Sequence, residues 1–238
     1  MHSDIAGQVN GFAGPMRADG QHRSAMTKRA PRPSSVEPAK APPDDTRRQI
    51  LNAAAKLLRR NGYASTSLRD IASATGMKAG SLYYHFASKE EIAETVMVEG
   101  IDLVRAAVKK ALAARPKDSD PLEDIEIAVR AHLQALHESG DYASANIRCF
   151  NHVPDEIKQR LRKVRERYNA DWRKLINQAR AAGCLDADVD DEALRYGLFG
   201  VMNWTLEWLR PGGPLPDDLG AMFFRILFRG AARPPARD

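Results

Sequence analysis

The chain of 238 residues lacks a long apolar run. No stretch approaches the roughly 18 uninterrupted apolar residues that a membrane-spanning helix needs. Roughly the first 20 residues contain no compact apolar segment behind a basic start, so we predict no secretory signal. These two absences together predict a protein that works in the cytoplasm and does not contact a membrane.

Cysteine is scarce, since only Cys149 and Cys184 are present. Two cysteines are too few for a disulfide framework or a zinc motif. Cys149 and His152 could share a helical face at i,i+3, but two ligands do not make a metal site. The sequence also lacks a phosphate-binding loop and a nucleophile–base motif, so we expect no enzyme, no cofactor and no metal.

Positive charge is concentrated in one region, although the whole chain carries only +5. Residues 45–89 contain eight basic residues and only two acidic ones, Asp45 and Asp70, so this segment has a net charge of +6. The rest of the chain therefore carries about −1, which indicates nucleic-acid contact at one end only. The eight basic residues are Arg47, Arg48, Lys56, Arg59, Arg60, Arg69, Lys78 and Lys89.

Residues 1–44 are rich in proline, alanine, serine, glycine and arginine, a composition that predicts a disordered tail. From Thr46 onward the apolar residues recur at helical spacing and no alternating strand pattern occurs, so the fold class is all-α. Thr46 with Gln49, and Ser88 with Glu91, are predicted capping boxes. Helices are predicted at about 46–61, 67–75, 78–85, 88–114, 121–138, 141–150, 154–183, 190–209 and 216–230.

The segment of residues 66–92 has the spacing of a helix-turn-helix, in which Gly76 suits a turn that needs positive φ. A helical wheel of the second helix puts Leu82 and Phe86 on an inner, apolar face. The outer face, which would approach base edges, carries Gly80, Ser81 and Tyr84. Tyr83 and His85 lie on the flanks, where each could contact DNA or pack between helices.

Residues 50–92, which include the motifs GSLYYHF and SKE, closely resemble the DNA-binding domain of the TetR/AcrR family. The resemblance implies a homodimer, a palindromic operator in double-stranded DNA and an effector pocket in the C-terminal helices. It divides the chain into a DNA-binding domain at 45–92 and an effector-binding and dimerisation domain at 93–232. Positions that match DNA-contacting residues, together with Arg47 beside them, are Arg47, Thr66, Ser67, Lys78, Gly80, Ser81, Tyr83, Tyr84, His85 and Lys89.

The predicted helix at 154–183 has one apolar stripe that includes Tyr168 and Trp172. Around the stripe lie six cations, which form either a solvated surface or an attractive surround for an anionic ligand such as a coenzyme A phosphate. These cations are Lys158, Arg160, Arg162, Lys163, Arg165 and Arg167.

The last two predicted helices are unusually apolar, and the family resemblance implies that they form the homodimer interface. Residues 202–215, MNWTLEWLRPGGPL, resemble TetR-type regulators of fatty-acid and steroid-ring breakdown, many of which respond to acyl-CoA thioesters. The expected function is therefore a repressor of catabolic genes that an acyl-CoA releases. A multidrug-sensing repressor of an efflux gene and a ligand-independent regulator remain alternatives. Candidate pocket residues are Tyr168, Trp172, Phe199, Met202, Asn203 and Trp204.

Overall fold

The computed structural model describes residues 43–116, 118–209, 215–216 and 218–229. Within these ranges it contains helices and no strand, which confirms the all-α prediction. The tail predicted for residues 1–44 lies outside the described residues except for its last two. The helices are α1 (Pro43–Asn61), α2 (Leu68–Thr75), α3 (Ala79–Leu82), α4 (Lys89–Ala113), α5 (Pro121–Glu138), α6 (Gly140–Cys149), α7 (Asp155–Ala181), α8 (Asp191–Trp208) and α9 (Leu219–Arg229), with a 3₁₀ turn at Phe150–His152 after α6.

Side-chain caps fix the helix starts around the helix-turn-helix. The Ser67 hydroxyl accepts the amide of Asp70 at 3.2 Å, and the Asp70 carboxylate accepts the Ser67 amide at 2.8 Å. Gly76 ends α2 with φ +68°, as predicted from the turn that a glycine permits. The cap predicted at Thr46 is wrong, because α1 begins at Pro43 and Thr46 lies within its first turns.

The second capping box is only half formed. The Ser88 hydroxyl accepts the Glu91 amide at 3.2 Å, as predicted. The Glu91 carboxylate, however, accepts the amide of Ala87 at 2.7 Å. α4 therefore starts at a serine cap, with the glutamate bonded one residue earlier than the capping box requires.

The second helix of the motif is shorter than predicted. The amides of His85 and Phe86 both donate to the Leu82 carbonyl, each at 2.9 Å. The Leu82 carbonyl thus accepts two amides in the turn that follows α3, which ends at Leu82 rather than near residue 85.

α4 is the central helix of the described chain and packs against α1, α5, α6 and α7. At Gly100 it crosses α6 so closely that a Cβ atom would lie 2.7 Å from the carbonyl carbon of Tyr142. A larger residue there would force backbone apart. The proposed boundary between residues 92 and 93 falls inside α4, which therefore runs without a break from one region into the other. Among the described helices, none is both long and apolar enough to cross a membrane.

Candidate functional site

α3 and the turn after it present an exposed surface that combines two tyrosine side chains with the bare backbone of Gly80. Tyr84 is 80% exposed and Tyr83 59% exposed, whereas Leu82 and Phe86 are buried. A Cβ atom at Gly80 would meet no heavy atom of the described residues within 4 Å. The exposures agree with the inner and outer faces predicted from the wheel. The open space at Gly80 on the outer face lets a binding partner approach the protein backbone closely.

Two cations beside this surface rest on aromatic rings of the core. The guanidinium of Arg47 lies 4.6 Å from the ring centroid of Phe86. The Lys89 ammonium lies 4.1 Å from the ring centroid of Tyr63, whose hydroxyl donates to the Glu90 carboxylate at 2.7 Å. Cation–π contacts of this kind hold the two charges at the edge of the exposed surface.

Two of the predicted contact residues serve the fold through their side chains. Thr66 is buried, with 1% of its surface exposed, and its hydroxyl donates to the Gly62 carbonyl at 2.8 Å. Its side chain is therefore not part of the exposed surface, which corrects the expectation for this residue. Ser67 is exposed but uses its hydroxyl in the cap of α2.

A cavity of about 350 Å³ lies among α4, α5, α6, α7 and α8. Tyr196, one of its lining residues, is 65% exposed, so the cavity opens to solvent at that point. Its apolar walls come from four of these helices, through Ile101, Val104, Leu136, Ala143, Ile147 and Phe199. Eight of the fifteen lining residues carry polar side chains, so the cavity offers a small molecule hydrogen-bonding groups as well as apolar walls.

A hydrogen-bonded histidine forms one polar group of the cavity wall. His132 is buried, its Nδ1 lies 2.8 Å from the Tyr168 hydroxyl, and its Nε2 lies 3.3 Å from Oδ1 of Asn203. Burial lowers the pKa of His132 to about 4, so the imidazole is neutral at neutral pH. A neutral ring fits both bonds if Nε2 donates to Asn203 and Nδ1 accepts from Tyr168.

Two arginines lie in the same wall, in different electrostatic states. Arg195 is buried, pairs with the Glu192 carboxylate and donates to Oδ1 of Asn169 at 3.1 Å. Arg165 donates to the carbonyl and to Oδ1 of Asn146, at 3.2 and 3.1 Å. Burial lowers the pKa of Arg165 to about 10, which still leaves it charged at neutral pH. The cavity thus contains one neutralised cation and one that has only neutral partners among the described residues.

α6 contacts the cavity on one side and α1 on the other. Asp141 pairs with Arg59 of α1, with 2.6 Å between Oδ1 and Nε. The Tyr142 hydroxyl donates to Oδ1 of Asn52 at 2.7 Å, and the Cys149 thiol donates to the Leu58 carbonyl at 3.4 Å. α6 is therefore bonded to α1 along most of its length.

A larger cleft of about 540 Å³ follows this α1–α6 junction. Its lining is largely charged, and its charges include the pairs Arg59–Asp141 and Arg148–Glu207, although Glu207 itself lies outside the lining. Because these side chains already neutralise one another, the smaller apolar cavity is the better candidate for a small-molecule site.

Comparison with known proteins identifies the family. Residues 50–96 match the family model for bacterial regulatory proteins of the tetR family. Residues 118–231 match the model for the tetracyclin repressor-like C-terminal domain. The HTH-type transcriptional repressor KstR2 of Rhodococcus jostii (strain RHA1) is 30% identical over 213 residues, covering 81% of this chain and 97% of that protein. This chain belongs to the TetR family.

Solved structures share the TetR-family fold. That of KstR2 of Mycobacterium tuberculosis, described as a ketosteroid transcriptional regulator, has a TM-score of 0.68 at 24% identity and covers 77% of this chain and 93% of that one. The complex of AibR with isovaleryl coenzyme A and operator DNA has a TM-score of 0.65 at 24% identity, covering 77% and 98%. At this identity the likeness concerns the fold, and the family membership makes this chain a DNA-binding transcriptional repressor.

The predicted pocket residues of this TetR-family repressor fall into three positions. Tyr168, Phe199 and Asn203 line the cavity. Trp172 and Met202 are fully buried and are not among the lining residues. Trp204 is 66% exposed and also lies outside the lining, because it is on a different side of α8 from Phe199 and Asn203.

Most of the residues that line the cavity, including His132 and Arg165, are absent from the predicted pocket residues. His132 is not among the predicted pocket residues, although a histidine within the apolar stripe of α5 is a signal that could have indicated it. Arg165 is one of the six α7 cations for which the sequence leaves a solvated surface and an anionic ligand as alternatives, and it lies in the cavity wall. Its position three residues before Tyr168, and so on the same side of the helix, was the available signal.

Proposed function

We propose that this repressor binds a palindromic operator as a homodimer and releases it when an acyl-CoA thioester enters the cavity, which would derepress catabolic genes. One observation carries the proposal: α4 and α6 form cavity walls and also hold α1 of the DNA-binding region. A ligand that fits better when these helices are displaced shifts the equilibrium toward the form with low DNA affinity.

The proposed DNA contacts lie in the region of residues 45–92, and the effector and dimer functions in 93–232. The exposed face around Gly80 and Tyr84 would read base edges in the major groove. Arg47 and Lys89, held on their rings, would bind flanking phosphates. The proposed contact residues are Arg47, Ser67, Lys78, Gly80, Ser81, Tyr83, Tyr84, His85 and Lys89.

Three observations support an acyl-CoA as the effector class. The cavity volume of about 350 Å³ and its apolar walls suit an acyl group. Tyr196, a lining residue that is 65% exposed, brings the cavity wall to the surface, where the coenzyme nucleotide would remain in solvent. AibR, which shares the fold, is described in complex with isovaleryl coenzyme A, and KstR2 is described as a ketosteroid regulator.

The alternatives fit the cavity less well. The guanidinium of Arg165, which has no carboxylate partner among the described residues, would repel the cationic drugs that many multidrug sensors must accept. A ligand-independent regulator would have no use for a cavity of about 350 Å³ in its core.

A titration of acyl-CoAs with different chain lengths against a labelled operator complex tests the proposal, with fluorescence anisotropy as the readout. We expect at least one acyl-CoA to weaken operator binding about tenfold, which requires a preference of about 1.4 kcal/mol for the released form. Phe199→Trp, which fills part of the cavity, should shift the response to shorter chains without changing operator affinity in the absence of ligand. Release by a lipophilic cation such as dequalinium, and by none of the acyl-CoAs, would contradict the proposal.

A further inference from the structure

Arg165 occupies an unusual position for an arginine on a strongly basic helix. Its guanidinium lies in the cavity wall, 3.7 Å from the ring centroid of Phe150. Other arginines of α7 have carboxylate partners: Arg160 pairs with Glu94, and Arg173 pairs with Glu166. Arg165 is therefore the α7 arginine that the fold directs into the cavity.

The hydrogen bonds of Arg165 leave part of its donor capacity unused. Both bonds, to the carbonyl and to Oδ1 of Asn146, come from the same nitrogen, Nη2. Among the described residues, Nε and Nη1 donate no hydrogen bond, and no carboxylate lies within ion-pair distance of the guanidinium. A planar guanidinium with free donors binds carboxylate and phosphate oxygens with good geometry.

Arg195, in the same cavity wall, has the charged partner that Arg165 lacks. Glu192 neutralises its charge and Asn169 accepts one of its donors. Arg165 has hydrogen bonds to neutral oxygens and a contact with the Phe150 ring, but no counter-charge among the described residues. Since a charge taken from water without an opposite charge costs free energy, an anionic ligand would complete this site.

We propose that the effector carries an anionic oxygen group that binds Arg165, and that Arg165 selects anionic over neutral ligands of the same shape. The inference rests on the proposed function only in that the cavity holds the effector. The anion is either a carboxylate on the acyl group or a phosphate of the coenzyme, since both present oxygen atoms that a guanidinium can bind in the same way.

A pair of fluorescent dyes tests the anion preference without knowledge of the effector. The anionic dye 8-anilinonaphthalene-1-sulfonate and the neutral N-phenyl-1-naphthylamine share their ring system and differ by the sulfonate. We expect Arg165→Gln to weaken binding of the anionic dye about tenfold and to change binding of the neutral dye less than about twofold. Arg165→Lys, which keeps a cation, should retain most of the preference.

Arg167→Gln is the matched control, because it removes the same charge from an exposed position on the same helix. It should leave the affinities for both dyes unchanged. Equal losses for both dyes in Arg165→Gln would overturn the inference, since they would indicate a purely structural role. An unchanged affinity for the anionic dye would overturn it as well.

Displacement of the anionic dye from the full-length wild-type repressor distinguishes the two sources of the anion. Displacement by decanoate indicates a carboxylate, whereas displacement by decanoyl-CoA and coenzyme A, but not by decanoate, indicates a phosphate. If none of the three displaces the dye while Arg165→Gln still loses it selectively, the acyl-CoA proposal fails and the anion preference of Arg165 stands.

Discussion

Tyr63 and Phe86 lie beneath two cations that border the exposed face of α3. Tyr63 supports the Lys89 ammonium and Phe86 supports the Arg47 guanidinium. Each contact is worth about 0.5–1 kcal/mol at an exposed site. Because the rings belong to the core, they restrict the cations before DNA arrives and so reduce the entropy lost when a phosphate binds.

Lys89→Ala tests the phosphate role of this residue. We expect weaker binding to all DNA sequences and a salt-dependence slope that falls by about one unit for each half-site, because one fewer counterion is released there. The measurement is operator affinity across a series of salt concentrations. Lys163→Ala, at an exposed position of α7, should leave the slope unchanged. An unchanged slope in Lys89→Ala would show that Lys89 does not contact a phosphate.

His132 should make the free energy of unfolding depend on pH. Its pKa is about 4 in the folded state against 6.5 in the unfolded chain, so the unfolded state takes up a proton first as pH falls. The stability is fully present above pH 6.5 and is lost progressively between pH 6.5 and about 4. By pH 5 the loss amounts to roughly 2 kcal/mol, since one pKa unit corresponds to about 1.36 kcal/mol.

His132→Gln removes the titrating group and keeps an amide in its place. Urea unfolding of both proteins at pH 7.5 and pH 5.0 should show a smaller pH-dependent loss in the variant. His137, whose pKa burial also lowers, contributes in the same direction to both proteins and cancels in the comparison. Equal losses in the two proteins would argue against the buried, neutral state of His132.

At the scale of elements, periodicity predicted the existence and order of the helices and missed where local bonds end them. α3 is short because two amides share the Leu82 carbonyl, a feature that no apolar spacing encodes. α1 starts at Pro43, so the Thr46–Gln49 pair, which resembles a cap in the sequence, lies inside the helix. The apolar stripe thus predicts the face of a helix better than its ends.

α8 and α9 leave apolar side chains in solvent, which supports their proposed role as the dimer interface. Trp204 is 66% exposed, Ile226 48% and Met222 46%. Ile226→Glu should convert the dimer to monomers, because a charge would be buried at the centre of an apolar contact. Sedimentation velocity measures the change. Leu103→Glu is the matched control, since Leu103 is 47% exposed but lies on α4, and it should leave the dimer intact. A dimer that survives Ile226→Glu would exclude the exposed face of α8 and α9 as the interface.

At the scale of the whole molecule, α6 joins the cavity to the DNA-binding region. Asp141→Asn weakens its pair with Arg59 without touching the cavity lining. We expect effector affinity of the free protein to change less than about twofold, while the effector-induced loss of operator affinity becomes smaller. Both affinities are measured with and without the other ligand. Asp155→Asn, which weakens a surface pair with Lys158, is the control and should leave this coupling unchanged. If Asp141→Asn also leaves it unchanged, α6 does not couple effector binding to operator binding.

Three of the six predicted pocket residues line the cavity, and the sequence could not predict the other residues of its lining. Tyr168, Phe199 and Asn203 line the cavity because aromatic and small polar residues on inner faces tend to meet in the core. For Arg165 the sequence leaves two alternatives, because a helical wheel shows which residues share a side but not whether that side faces solvent or a cavity. Only the packing of α6 and α8 around α7 encloses its guanidinium.

The walls of the cavity divide into two groups that should differ in how freely they tolerate change. Val104 and Ala143 belong to α4 and α6, which also support α1, and the close contact of these two helices at Gly100 leaves no room there for a larger side chain. Phe199 and Asn169 belong to α8 and α7 on the other side. Libraries that retune this repressor as a biosensor for new compounds should therefore randomise the cavity-lining positions of α7 and α8 and keep the exposed residues of the proposed dimer interface, so that recognition changes and operator affinity does not.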